Sequence, residues 1–110
     1  KRSGSIINVT SGVGRQGKAR WGAYAVSKAG LECLTQVLAD EVKDLGIRVN
    51  AVNPAATRTA MRAHAYPEED PQTLPEPEAI VGIFLYLASE ASAAVSGQSL
   101  DARDWVGRDI

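Results

Sequence analysis

Hydrophobic residues along the chain fall into three short runs and two helical repeats. The short runs predict strands at residues 5–10 and 47–53 and a weaker strand at residues 97–101. Between the first two runs, apolar residues recur every three or four positions over residues 23–44, which predicts a long helix. A second helical repeat follows Pro77, a residue type that is well tolerated in the first turn of a helix. Strands and helices therefore alternate along the sequence.

The predicted order of the elements is β-α-β-lid-α-β. Strands that are separated by helices pair in parallel, so the pattern predicts an α/β fold with a mainly parallel sheet. The polar segment at residues 55–76 contains several prolines and is long for a structureless connection. We expect it to be a lid or binding loop within one domain, residues 1–110.

Composition narrows the classes of partner. Twelve basic and 13 acidic residues are interspersed and give a net charge of −1, so we expect neither a nucleic-acid nor a membrane-surface partner. No apolar run approaches the ~20 residues that span a bilayer. Cys33 is the single cysteine, which excludes a disulfide framework and a zinc ligand set. We therefore expect a reducing, cytoplasmic setting and no metal site.

Three glycines after the first strand, Gly12, Gly14 and Gly17, have the spacing of a dinucleotide-binding fingerprint. That fingerprint needs a helix to begin at the third glycine and an acidic residue to follow the next strand, about 20 positions later. Here the helical pattern begins only near residue 23. We expect the glycines to shape a loop instead, and a small nucleotide-binding domain that uses them is the alternative.

Tyr24 and Lys28 lie four positions apart at the start of the long predicted helix, so they share a face. Ser11 ends the first strand 13 residues before Tyr24, on a loop that could fold over that face. A nearby ammonium favours the phenolate form of a tyrosine, and this suits the pair to acid–base chemistry. On spacing alone, an aromatic residue at a helix start and a solvated lysine explain the pair better than a site does, because both residue types are common.

Several segments together resemble the short-chain dehydrogenase/reductase family. They are "INVTSGVG", "YAVSKAG", "LGIRVNAVNPAATRT", "PEPEAIVGIFLYLAS" and "SGQSL", in the order and spacing of that family. The resemblance extends from residue 3 to about residue 101. Within the family, residues 57–74 are most similar to the YciK-like bacterial oxidoreductases.

The resemblance implies a Rossmann-type, doubly wound parallel sheet and hydride transfer between an alcohol and a carbonyl with NAD or NADP. Ser11 would hydrogen-bond the substrate oxygen, Tyr24 would be the general acid/base, and Lys28 would hold the nicotinamide ribose. The chain would be the C-terminal, catalytic half of such an enzyme, without the N-terminal half that holds most of the cofactor. The fragment alone is then expected to be inactive.

The resemblance also implies contacts around the nicotinamide and the substrate. Besides Tyr24 and Lys28, the expected cofactor-binding residues are Pro54, Ala55, Thr57 and Thr59. The expected substrate-side residues are Gly12, Trp21 and Met61. The family usually has glycine at the position of Ala55, so a positive φ there would cost energy in this chain.

The expected partners are a small alcohol or carbonyl substrate and, in the full-length protein, further copies of the same chain in a homodimer or homotetramer. A different class of function stays open at this point. A truncated, non-catalytic interaction module could associate through the helix at residues 23–44.

Overall fold

The computed structural model describes residues 3–17, 19–55 and 60–105. Its sheet has three strands, β1 (Gly4–Val9), β2 (Ile47–Asn53) and β3 (Ser99–Asp101). They are parallel and lie in chain order, so β2 is central. Each strand boundary lies within two residues of its prediction, and the parallel sheet confirms the predicted α/β class.

In the described ranges, four α-helices connect or flank these strands: α1 (Gly22–Glu41), α2 (Ala60–Ala65), α3 (Pro77–Ile80) and α4 (Gly82–Ala88). Helix α1 ends three residues before the predicted end, because residues 43–45 form a 3-10 turn and Gly46 adopts a left-handed φ of 73° before β2. The repeat after Pro77 is two helices separated at Val81, where one had been expected. Gly82 follows the break, and glycine weakens a helix interior.

The helices cover both faces of the sheet. On one face, the Asn8 side-chain amide donates a hydrogen bond of 3.0 Å to the hydroxyl of Thr35 in α1. On the other face, the Ser5 hydroxyl donates to the carbonyl oxygen of Leu87 in α4 at 2.7 Å. Because alternate residues of a strand point to opposite faces, these contacts place α1 and α4 on opposite sides, as in a doubly wound sheet.

The main hydrophobic core lies on the α4 side of the sheet. Its buried members are Val52, Ile80, Ile83, Leu87 and Ala102. Helix α1 is buried only at the small residues Thr35 and Ala39. It leaves large apolar side chains uncovered, with Val26 73%, Leu34 50% and Val37 47% exposed. None of the helices in the described ranges is both long and apolar enough to cross a membrane.

Candidate active site

The candidate site lies at the carboxyl end of β1. The buried Thr10 follows the strand, and its backbone N–H donates to the carbonyl oxygen of Val52 at 2.8 Å, which keeps the chain beside β2. Ser11 comes next and is partly buried. Its carbonyl oxygen accepts a hydrogen bond of 3.0 Å from the N–H of Gly14, and this closes a 3-10 turn over residues 12–14. Ser11 therefore stands where the strand turns sharply into the loop.

Lys28 connects helix α1 to the end of β1. Its ammonium nitrogen donates a hydrogen bond of 3.0 Å to the carbonyl oxygen of Val9, two residues before Ser11. The same nitrogen lies 5.6 Å from the centre of the Tyr24 ring. Tyr24 is 44% exposed, so a ligand can reach it. The structure thus brings the predicted tyrosine and lysine together, next to the strand end that carries the predicted serine.

Trp21 stands directly before α1 and contacts Tyr24 edge-on. The two ring centroids are 5.6 Å apart at an interplanar angle of 61°. Arg20, the residue before Trp21, has a φ of 73°, which a side chain other than glycine adopts only at a cost. This backbone turn directly precedes Trp21, whose substrate-side role stays a prediction.

In this glycine pattern, Gly14 lets the loop after β1 lie directly against helix α1. A Cβ atom on Gly14 would lie 2.7 Å from the backbone carbonyl carbon of Lys28, a distance that excludes any side chain. A Cβ on Gly17 would meet nothing within 4 Å. Helix α1 begins only at Gly22, as the sequence predicted, so Gly17 does not lie at a helix start. The geometry of a phosphate-binding fingerprint is therefore missing from this loop.

The turn after β2 carries the second non-glycine residue with a left-handed backbone. Ala55 follows Pro54 and has a φ of 59°. Its backbone N–H donates a hydrogen bond of 2.9 Å to the side-chain oxygen of Asn53. An asparagine that accepts from the backbone two residues later stabilises a tight turn. Ala55 thus has the positive φ that costs energy in a residue other than glycine.

Part of the predicted site cannot be placed. Thr57, Thr59 and the side chain of Met61 lie outside the described residues. In the parts of the chain that the structure does describe, no group of three histidine, cysteine or acidic residues is arranged to hold a metal ion.

The segment after α2 is held by an internal ion pair. The Arg62 guanidinium donates to both oxygens of the Glu69 carboxylate, at 2.8 and 3.0 Å. It also lies 3.8 Å from the centre of the Tyr66 ring. The hydrogen bond from Arg62 lowers the pKa of Glu69 below its ordinary value, so the carboxylate stays ionised to a lower pH than that of a free glutamate. These contacts fix the segment at residues 62–69, which is part of the predicted lid.

Sequence reasoning missed a polar network beside the site. It joins Arg15, on the loop after Ser11, to Asp101 at the end of β3 and through it to Asn53 at the end of β2. Asn53 and Asp101 are partners in the parallel register. Carboxyl ends of neighbouring parallel strands meet at one edge of the sheet. From this rule, the proximity of Asn53 and Asp101 could have been predicted from the sequence.

Comparison with known proteins identifies related chains. The family model described as "short chain dehydrogenase" matches residues 1–70. An uncharacterized oxidoreductase of Escherichia coli K12, YciK, is 50% identical over 101 residues, which is 92% of this chain and 40% of the relative. A 3-oxoacyl-(acyl-carrier-protein) reductase, FabG, of Thermotoga maritima is 39% identical over 89% of this chain and 43% of the relative.

Solved structures give the same picture. A short chain dehydrogenase of Shigella flexneri 2a strain 301 in complex with NADP superposes with a TM-score of 0.88 at 48% identity. The alignment covers 94% of this chain and 43% of that one. The chain thus spans less than half the length of the relatives that it matches.

Proposed function

This chain belongs to the short chain dehydrogenase family, and from that premise we propose that it forms the catalytic half of an oxidoreductase that interconverts an alcohol and a carbonyl. The observation that carries the proposal is the position of Lys28. Its ammonium group lies beside Tyr24 and is anchored at the strand end that leads to Ser11. A tyrosine and a positive charge therefore lie beside the strand end that leads to a serine.

Each of the three side chains has a distinct role in the proposal. In reduction, the Tyr24 hydroxyl donates its proton to the carbonyl oxygen, and in oxidation the phenolate takes the proton from the alcohol. The Ser11 hydroxyl donates a hydrogen bond to the same substrate oxygen and orients it. The ammonium group of Lys28 lies beside the Tyr24 ring and, in the proposal, holds the nicotinamide ribose.

The described residues fit the nicotinamide end of a dinucleotide. An ammonium group has three N–H donors, so Lys28 can hold Val9 and still bind ribose hydroxyls. The left-handed turn at Pro54 and Ala55 exposes backbone at the carboxyl edge of the sheet, where ligands of such sheets bind. Bound NAD(H) or NADP(H) would accept or supply the hydride. The complexes of solved relatives with NADP and NADPH favour NADP(H).

The phosphates and the adenosine need a further binding surface. The described loop after β1 offers no helix N-terminus directly behind its third glycine. We propose that a cofactor-binding half outside residues 1–110 supplies this surface, in keeping with relatives of which the chain covers only 40 to 43%. Thr57, Thr59 and Met61 would complete the nicotinamide and substrate sides of the site, with Gly12 and Trp21 bordering the substrate.

Self-association and location are further parts of the proposal. The uncovered apolar side chains of α1 suit a homodimer or homotetramer, because a helix face of this kind is stabilised by burial against another copy. A cytoplasmic location agrees with the single cysteine. The comparisons give no support to a non-catalytic module as the function of the chain, since the matched relatives include oxidoreductases.

The experiment uses the full-length protein that carries these residues. NADH and NADPH consumption is followed by absorbance with aldehydes, ketones and 3-oxoacyl thioesters, and Ser11→Ala is measured in parallel. We expect turnover of at least one carbonyl class and a clear loss of kcat in Ser11→Ala with dinucleotide affinity retained. A full-length protein that neither consumes nor binds either dinucleotide would overturn the proposed function.

A further inference from the structure

A chain of side-chain hydrogen bonds runs from the loop after Ser11 to the backbone of Ala55. Arg15 Nη1 donates to Asp101 Oδ1 at 2.7 Å. The same carboxylate oxygen accepts from the Asn53 side-chain nitrogen at 3.2 Å. The Asn53 side-chain oxygen in turn accepts from the N–H of Ala55 at 2.9 Å. Four residues from three separate segments are thereby connected.

Asp101 determines which way the Asn53 side chain faces. An ionised carboxylate only accepts hydrogen bonds, so the amide must turn its nitrogen to Asp101 and its oxygen to Ala55. The Asp101 carboxylate is ionised at neutral pH, and the hydrogen bond from Arg15, which lowers its pKa below the ordinary value of 3.8, keeps it an acceptor to a lower pH than a free aspartate. The oriented asparagine then offers an acceptor to the Ala55 N–H at the costly φ of 59°.

Arg15 anchors the other end of the chain. Its Nε donates to Glu32 Oε1 of α1 at 2.9 Å, and its Nη2 donates to the Ser99 hydroxyl of β3 at 2.8 Å. The planar fork of arginine can hold two carboxylates in fixed directions, whereas a lysine ammonium cannot span both. Arg15 directly follows the turn at residues 12–14 and thus joins the Ser11 loop to α1 and β3.

We propose that Arg15, Asp101 and Asn53 are positioning residues that set the Ser11 loop and the Ala55 turn relative to each other. Within the proposed function, on which this inference rests, Ser11 holds the substrate oxygen and Ala55 borders the nicotinamide. The distance between these two segments then governs how the substrate carbon meets the hydride. The three residues act through backbone placement and do not touch the reacting atoms.

The test compares KM and kcat in the full-length protein. Asp101→Ala removes the shared acceptor, and we expect the KM for the dinucleotide to rise about two- to tenfold, the range of one net hydrogen bond. Asp101→Asn keeps an oxygen for both donors and should raise KM less. Adding Ala55→Gly to Asp101→Ala should restore the dinucleotide KM, because glycine adopts a positive φ without support from Asn53.

Arg48→Lys is the matched control. Arg48 lies on β2 and donates to the Ser92 hydroxyl and, at 3.4 Å, to the Ser89 carbonyl oxygen. Arg48→Lys should weaken these hydrogen bonds and lower the melting temperature without changing the dinucleotide KM. A general loss of stability is thereby separated from the effect on the Ala55 turn.

Two outcomes would overturn the inference in an active enzyme. One is an unchanged dinucleotide KM in Asp101→Ala, and the other is a raised KM that Ala55→Gly does not restore. Hydrogen exchange of the Ala55 amide gives a readout that needs no activity. Exchange should be faster in Asp101→Ala, and an unchanged rate would refute the coupling even if the protein proved not to be an oxidoreductase. A failure of the proposed function appears separately, as a wild type without dinucleotide binding.

Discussion

Gly14 packs directly against the backbone of Lys28. A Cβ atom at position 14 would lie 2.7 Å from the Lys28 carbonyl carbon and 2.9 Å from its carbonyl oxygen. Backbone atoms within a helix cannot move aside as a flexible side chain can, so the loop itself would have to move. The loop that carries Ser11 is therefore seated on the turn of α1 that carries the lysine.

Gly14→Ala should push this loop away from the helix. We expect kcat of the full-length enzyme to fall about ten- to a hundredfold, because a displacement of ~1 Å at a reacting group can cost that much. Dinucleotide affinity, measured by calorimetry, should be largely retained.

Gly17→Ala is the matched control, since its Cβ would meet nothing within 4 Å. Its kcat and dinucleotide affinity should stay near those of the wild type. The opposite result, a large loss of dinucleotide binding in Gly17→Ala with normal kcat in Gly14→Ala, would support a phosphate cradle.

Elements with a local signal could be predicted from the sequence. The apolar run of β2 ends at Pro54, and the predicted strand over residues 47–53 is the observed Ile47–Asn53. The delayed start of α1 was visible in the residues that separate Gly17 from the first helical repeat. The division at Val81 was missed, because the apolar spacing continues through Gly82 and periodicity alone does not weigh the helix propensity of one glycine.

Contacts between distant segments had no local signal, and only the order of the parallel strands could have indicated one of them. Arg15 and Asp101 are 86 positions apart, and Asn53 and Asp101 are 48 apart. Hydrophobic patterns indicate only which face of an element is buried. Charged residues at a polar edge of the sheet therefore cannot be distinguished from ordinary surface residues until the strand order is known. The candidate tyrosine, lysine and serine lie within one strand–loop–helix unit, but their spacing alone did not favour a site. They could be named in advance because the surrounding segments resemble the short-chain dehydrogenase/reductase family.

The ion pair between Arg15 and Asp101 predicts a pH dependence of stability. Because the pKa of Asp101 is lowered in the folded protein, its contribution is present above the ordinary value of 3.8 and is lost as the pH falls through the folded value. The Asp101 side chain is 38% exposed, so the pair contributes at most about 1 kcal/mol.

Denaturant unfolding of the full-length protein and of Asp101→Asn should therefore differ by a constant amount near neutral pH. The difference in the free energy of unfolding should shrink only below a pH of about 4. A difference that already vanishes between neutral pH and a pH of about 5 would contradict the ion pair.

The uncovered apolar face of α1 predicts self-association. Leu34→Glu places a charge among side chains such as Val26 and Val37, and should lower the mass of the full-length protein in light scattering to that of a smaller assembly. Gln36→Glu adds the same charge about 200° around the helix and should leave the mass unchanged. Equal masses for Leu34→Glu and the wild type would exclude this face as an interface.

Residues 1–110 alone should bind dinucleotides poorly. The described part of the chain offers the nicotinamide side of the site, while the phosphates would be held by a helix N-terminus that the glycine loop does not provide. Without a positioned hydride donor, on the order of 7 to 11 kcal/mol of barrier lowering can be lost. Calorimetric titration of this segment with NADH and NADPH should show weak binding or none, and activity should be undetectable. An affinity in the micromolar range would contradict the proposal that a separate cofactor-binding half is needed to hold the dinucleotide.

The central claim is that Tyr24 moves the proton. Tyr24→Phe removes one hydroxyl and keeps the ring beside Trp21 and Lys28, so the binding of the dinucleotide should not change. Tyr86→Phe removes a hydroxyl from a tyrosine that stacks on Trp105, away from the site, and serves as the control. The decisive measurement is kcat of the full-length Tyr24→Phe protein under saturating dinucleotide. We expect kcat to fall about a hundredfold or more, within the range of general acid–base catalysis, and near-normal turnover would contradict proton transfer by Tyr24.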